Sequence, residues 1–236
     1  SLGSANIDCR QDGAALDPSA GRAGYIFNPT IAGIEQADAL LLIGSNPRFE
    51  ASVLNARIRK RWRMGDFPIG AVGEIGDPRY DYEALGSGAD SLKQLLDGKG
   101  KFVSALKKAQ RPLIIVGQGA LARPDGGAVL GLAAKLASDL KAVREDWNGF
   151  AVLHTAAARV GGLDIGFVPG EGGKDVARMM GGALDVLFLL GADEIDMNAI
   201  DAAFTVYIGT HGDAGAHRAD VILPGSAYTE KSSTYV

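Results

Sequence analysis

The apolar residues of this chain fall into short, unbroken runs separated by stretches with helical spacing. Leu40, Leu41, Leu42 and Ile43 follow one another with no polar alternation, which is what a strand buried on both faces of a parallel sheet requires. Comparable runs lie near residues 67–72, 112–117, 150–154, 184–190, 204–208 and 221–223. Between them, Ala51, Leu54, Ile58 and Trp62 recur at three- and four-residue intervals, so a helix over about 49–62 would lay one face on the sheet. Further helices are predicted over 89–110 with a break at 98–100, over 125–140 opened by Asp125, over 174–180, and over 195–203. Strands alternating with helices mean parallel sheets joined by right-handed crossovers. The expected fold is therefore α/β, with two Rossmann-like, doubly wound, mainly parallel sheet units. An extended lead-in over 1–36, with little periodicity and no evident packing partner, precedes a first unit over 37–173. A second, truncated unit covers 174–236, and the glycine-rich passage from Gly161 to Gly173 is the expected crossing between the two.

One unit carries the candidate chemistry. After Ile43, Gly44 and Ser45 turn the chain, Asn46 is suited to cap a helix through its side-chain oxygen, and Pro47 suits the first helical position, where no N–H is needed. Such a turn places backbone N–H groups and a positive helix end at the carboxyl edge of a sheet, where open α/β folds bind phosphate groups. The unit recurs at 184–193, with Gly191 in place of Gly44 but Asp193 and Glu194 in place of Asn46 and Pro47. A carboxylate there still caps a helix but repels a phosphate.

Composition narrows the field. At 236 residues and 47% hydrophobic content the chain can bury real cores, and its 33 glycines are about twice the usual share. A net charge of −4 leaves no footprint for nucleic acid. Cys9 is the only cysteine, so the chain holds no internal disulfide, Cys-rich zinc site or self-contained iron–sulfur cluster. No apolar run approaches the roughly 18 residues of a membrane span. The chain starts on Ser1 and stops at Val236 in a strand-like stretch, which reads as a piece of a longer protein.

Other signals are weaker. Gly117-Gln118-Gly119-Ala120-Leu121-Ala122 follows a strand in a loose dinucleotide-binding pattern. The next strand ends in His154-Thr155 rather than the ribose-binding acid the fingerprint needs, so a glycine turn serving helix packing is the better reading. Gly173-Lys174 lacks the first glycine of a phosphate loop, where Val168 stands. His211 and His217, with Asp213 between them, lack convincing metal-ligand spacing, and His154, a conceivable base, has no partner nearby in sequence. Arg57, Arg59, Lys60, Arg61 and Arg63 crowd a helix end, which the helix dipole favours without any ligand; an acidic partner surface is the alternative.

Residues 37–51 (Ala-Asp-Ala-Leu-Leu-Leu-Ile-Gly-Ser-Asn-Pro-Arg-Phe-Glu-Ala) and 219–231 (Ala-Asp-Val-Ile-Leu-Pro-Gly-Ser-Ala-Tyr-Thr-Glu-Lys) resemble the molybdopterin oxidoreductase superfamily. Asn55-Ala56-Arg57-Ile58-Arg59-Lys60, residues 112–127 and residues 160–170 resemble, more closely, the large iron–sulfur subunits of respiratory complex I, the NADH:quinone oxidoreductase, of bacterial type. The resemblance implies a C-terminal scaffold part of such a subunit, without a redox centre or cofactor of its own, the iron–sulfur clusters lying in the N-terminal part of the parent. It implies other hydrophilic-arm subunits as partners, no membrane insertion, and a cytoplasmic place peripheral to the inner membrane. In catalytic relatives the loop matching Gly44, Ser45, Asn46 and Pro47 contacts the nucleotide of the molybdenum cofactor. Here these four residues read as an inherited nucleotide loop that stands empty. The alternative is a redox domain that still binds a molybdopterin guanine dinucleotide or another nucleotide at this loop.

Overall fold

A computed structural model describes residues 3–182 and 184–236. Ser1, on which the reading of the chain's start rests, lies outside the described residues. The chain folds as two compact units, one over 14–157 and one over 158–236 that also takes the chain up to Gly13.

The unit over 14–157 is built on a parallel five-stranded sheet in the order β3-β2-β1-β4-β7. Its strands are β1 (Ala39–Ile43), β2 (Ile69–Val72), β3 (Glu83–Ala84), β4 (Pro112–Val116) and β7 (Phe150–Val152). Between β4 and β7, β5 (Val143–Arg144) and β6 (Trp147–Asn148) form a small antiparallel hairpin. The chain runs outward from β1 to β3, then returns to add β4 and β7 on the other side of β1. Right-handed crossovers in opposite directions put helices on opposite faces, and the packing follows. On one face Leu40 and Leu42, Ile69 and Ala71, and Leu113 and Ile115 meet Ile58, with Leu54 and Trp62 packed alongside. Those three belong to α3 (Ser52–Arg63), which follows the short α1 (Thr30–Gly33) and α2 (Pro47–Glu50). The other face lies under α4 (Gly88–Leu96), α5 (Lys101–Lys108) and α7 (Gly126–Asp139). Phe102 of α5 comes so near Gly70 that a Cβ there would lie 2.6 Å from its ring. Every position of β1, β2 and β4 is buried.

The predicted apolar face of the first helix is therefore real, but the helix is two pieces, broken at Ala51 between α2 and α3. The lead-in is not an extended segment awaiting a partner. Leu16, Tyr25 and Ile34 are fully or almost fully buried, Phe27 bridges to Ala151, and the backbone N–H of Cys9 donates to Phe167. Single apolar residues without a period bury themselves here, which no helix or strand template detects. The structure accordingly divides the chain near residues 13 and 157 rather than 36 and 173.

The second unit carries a parallel three-stranded sheet in the order β10-β9-β8, with β8 (Leu184–Leu190), β9 (Ala202–Gly209) and β10 (Val221–Pro224). It also contains α8 (Arg159–Asp164), α9 (Val176–Met180) and α10 (Ala214–Arg218); α8 overlaps the start of the glycine-rich passage. The helix predicted over 195–203 is absent. A single 3-10 turn covers Met197–Ala199, and Ala202 already pairs with Leu184. The ladder with β8 outweighs the helix propensity of the alanines, a weak local bias that strand pairing readily overrides.

Candidate nucleotide loop at the carboxyl edge

The switch point of the first sheet lies between β1 and β4, where the winding reverses and ligands of open α/β folds are bound. Gly44 makes the turn at φ +56°, a conformation that costs other residues energy, and its N–H donates to the Val72 carbonyl at 2.9 Å. Ser45 is 2% exposed. Its Oγ donates to Glu50 Oε2 at 2.9 Å, and the Asn46 backbone N–H donates to Glu50 Oε1 at 3.0 Å. Both oxygens of one carboxylate, carried on α2, thus sit in the turn. Asn46 stands at the cap position of α2, but its side chain makes no cap bond. Its Nδ2 instead donates to the Ile75 carbonyl at 2.9 Å, and its buried Oδ1 has no hydrogen-bond partner among the described residues. This corrects the capping role expected of Asn46: the loop after β2 captures its side chain, and Glu50 reaches back to the cap N–H instead, a relative of the capping box. Pro47 is the first helical residue, as expected, and is buried.

The other half of the switch point is the turn from β4 into α6 (Gln118–Leu121). A Cβ on Gly117 would lie 2.5 Å from the Ser45 Cβ, one on Gly119 2.8 Å from the Gly44 carbonyl oxygen, and one on Gly44 2.4 Å from the Ala120 Cβ. The glycines of the loose dinucleotide pattern let this turn close onto Gly44 and Ser45. Gln118 is buried and donates through Nε2 to the Leu153 carbonyl. The two turns fill the crevice with each other.

The recurrent unit repeats the turn but not the helix: only the 3-10 turn Met197–Ala199 follows, with Asp196 at its cap, so Asp193 caps no helix, contrary to the expectation from sequence. Gly191 turns at φ +59°, and its N–H donates to Ile208 at 2.7 Å, just as Gly44 donates to the end of its neighbouring strand. Asp193 follows, and the Glu194 N–H donates to Gln11 Oε1 at 3.2 Å. Beneath lies Tyr207, 2% exposed; burial, then the Asp193 and Asp213 carboxylates, push its phenol up. Elsewhere, a ring nitrogen of His154 engages the Tyr25 carbonyl, and His211 Nδ1 meets Thr210 Oγ1 at 2.7 Å. Among the described residues no three His, Cys, Asp or Glu side chains are grouped to hold a metal ion. Burial pushes the Cys9 thiol up, away from a reactive thiolate.

Sequence reasoning missed Asp38 and Asp220. Asp38 accepts the Gln110 and Arg111 N–H groups at 2.6 and 2.8 Å and fixes the start of β4 beside β1. Asp220 accepts the Thr205 N–H at 2.8 Å, beside β10. The Ala-Asp pair before each apolar run was the available signal. Glu50 was missed too.

The Molybdopterin oxidoreductase family model matches residues 1–236. The chain belongs to the molybdopterin oxidoreductase family. It is 44% identical, over 99% of its length, to mitochondrial NADH dehydrogenase (ubiquinone) iron-sulfur protein 1 of Solanum tuberosum, of which the match spans 31%. It is 43% identical to an NADH-quinone oxidoreductase subunit of Rickettsia bellii and 44% to the subunit of the same name in Rickettsia felis, over its full length and 33% and 34% of theirs. The chain thus spans about one third of the length of these relatives.

The residues of the Gly44–Pro47 turn do not fit a nucleotide phosphate. The N–H and hydroxyl that would receive it already bind Glu50. A second anion about 4 Å from that carboxylate meets about 4 kcal/mol of repulsion at an effective dielectric of ~20. The neighbouring space belongs to Gly117–Ala120.

Proposed function

We propose that this chain is a C-terminal structural part of the large iron–sulfur subunit of an NADH:quinone oxidoreductase, in which NADH is oxidised and quinone reduced, and that it holds no redox centre itself. The observation that carries this reading is the Glu50 carboxylate bound by Ser45 and Asn46, with the facing glycine turn closed over it. Gly44, Ser45, Asn46 and Pro47 are then a nucleotide loop in descent only, satisfied by the chain's own side chain. The names of the relatives support membership of the respiratory enzyme, and a single half-buried cysteine supports clusters ligated elsewhere in the parent polypeptide.

In this role the unit over 14–157 works as a scaffold: a sheet buried on both faces carries loops and helix surfaces for other hydrophilic-arm subunits. No helix among the described residues is long and apolar enough to cross a membrane, which suits a cytoplasmic position beside the inner membrane. Iron, molybdenum and pterin analysis of the chain purified under anaerobic conditions tests the reading. The expected content is far below one equivalent of each. A stoichiometric amount of any would overturn it.

A further inference from the structure

The basic run of α3 is not one solvated helix end. Arg61 turns inward, donating to the Ala37 and Gly65 carbonyls and stacking 4.6 Å from the centroid of the Phe67 ring. Arg57 and Lys60 both pair with Glu35, and these cations hold its carboxyl below the usual range. The remaining cations do something else. Arg59 and Arg63 face a groove of about 550 Å³ that Arg48, Arg79 and Lys60 also line, and no acidic side chain lines it. Among the described residues neither Arg59 nor Arg63 forms an ion pair. Arg48 and Arg79 share Asp77 alone.

Arg48, Arg59 and Arg79 are held in place. Arg59 Nε donates to the Arg79 carbonyl at 3.2 Å, and Arg48 Nη1 to the Asp77 carbonyl at 2.6 Å. Guanidinium edges so pinned keep N–H groups to offer and lose little freedom on binding. Asn55, 7% exposed, also lines the groove, with Nδ2 bound to the Pro78 carbonyl and a buried Oδ1 that has no partner among the described residues. From Ser52 to Arg63 the α3 wall of the groove rises about 16 Å at 1.5 Å per residue. That length matches about five residues of extended peptide. Arg59 and Arg63 stand about one helical turn apart along α3, and Arg48 and Arg79 come from other segments, so the groove suits a row of carboxylates better than a single phosphate.

We propose that this groove docks an acidic, extended segment of a partner protein, its carboxylates engaged by Arg59, Arg63 and the pinned Arg48 and Arg79. The chemistry of the groove stands whether or not the chain is a structural part of a respiratory enzyme. Fluorescence anisotropy of a labelled hexaglutamate peptide with the full chain, at about 0.15 M salt, is the test. With a net charge of −4 the chain as a whole repels such a peptide, so binding reports a local site. Saturable binding is expected, weakened about tenfold by Arg59→Gln with Arg63→Gln. Lys107→Gln with Lys108→Gln, at the exposed end of α5, is expected to leave it unchanged. Both variants replace exposed side chains, and unchanged melting temperatures verify their folds. Absence of saturable binding, equal loss in both variants, or displacement by inorganic pyrophosphate at concentrations below those of competing unlabelled hexaglutamate would each overturn the proposal.

Discussion

β1 and β8 come from similar sequence and meet different surroundings. Leu-Leu-Leu-Ile in β1 is buried at every position, whereas Val186, Phe188 and Leu190 of β8 are 48%, 51% and 67% exposed. Phe204 of β9 and Val221 and Leu223 of β10 extend the same apolar face, their registers with β8 and β9 placing them on one side. The opposite face of that sheet is covered, with Leu189, Tyr207 and Ile200 packed against Met180, Ile195 and Ala216. The difference follows from winding. The first sheet is wound both ways from β1 and gains helices on both faces, while the second runs only from β8 to β10, so its right-handed crossovers fall on a single face. An unbroken apolar run thus states what a strand needs, and topology decides whether the need is met.

The sharpest way to break this comparison is at the two glycines that share a backbone conformation. Gly44→Ala adds a Cβ 2.4 Å from Ala120 to a left-handed turn, whereas at Gly191 the added Cβ meets nothing within 4 Å. The expected losses on urea unfolding are about 4 kcal/mol and about 1 kcal/mol. Equal losses would mean that the two turns are packed alike. Next, Leu42→Ala, at a position with no exposure, is expected to cost about 3 kcal/mol, and Phe188→Lys to stay within about 0.5 kcal/mol. A large loss from Phe188→Lys would show the second sheet's outer face to be covered.

The smallest effect concerns Tyr80 in the first unit, whose buried hydroxyl has no hydrogen-bond partner among the described residues and whose phenol burial pushes far above its ordinary value. A folded-state pKa raised above the unfolded one gives a contribution that is complete below about pH 10 and declines as the pH rises past it. Tyr80→Phe is therefore expected to leave stability at pH 7 unchanged or up to about 1 kcal/mol higher. It is also expected to flatten the alkaline loss, which Tyr207 in the second unit continues to contribute. Urea midpoints at about pH 7 and about pH 10.5, on either side of the ordinary tyrosine value, check both.

β1, β2, β4, β7, β8, β9 and β10 were legible because apolar runs bounded by glycine and proline carry their own signal, and the apolar face of α3 because its period does; the two-residue β3, β5 and β6 have no such run and were missed. The Gly44–Pro47 turn was legible in its backbone and not in its side-chain partners. Gly44 and Pro47 do what their residue types require of them locally. Asn46 does not, because the Ile75 carbonyl, 29 residues further along, competes for its side chain. Glu50 stands four residues after the cap rather than three, outside the usual capping-box spacing, and only the fold shows that its carboxylate closes the turn. The lead-in was misread for a related reason: Leu16 and Tyr25 bury themselves through tertiary packing alone, with no periodicity to announce it.

The central claim is that the Gly44–Pro47 turn is satisfied from within. Titration of the chain with guanosine diphosphate to millimolar concentration, followed by thermal and urea unfolding, tests it most directly. A ligand at 100 times its dissociation constant would stabilise the fold by about 2.7 kcal/mol. The expected result is no change in either midpoint; a saturable upward shift that Gly44→Ala abolishes would contradict the claim.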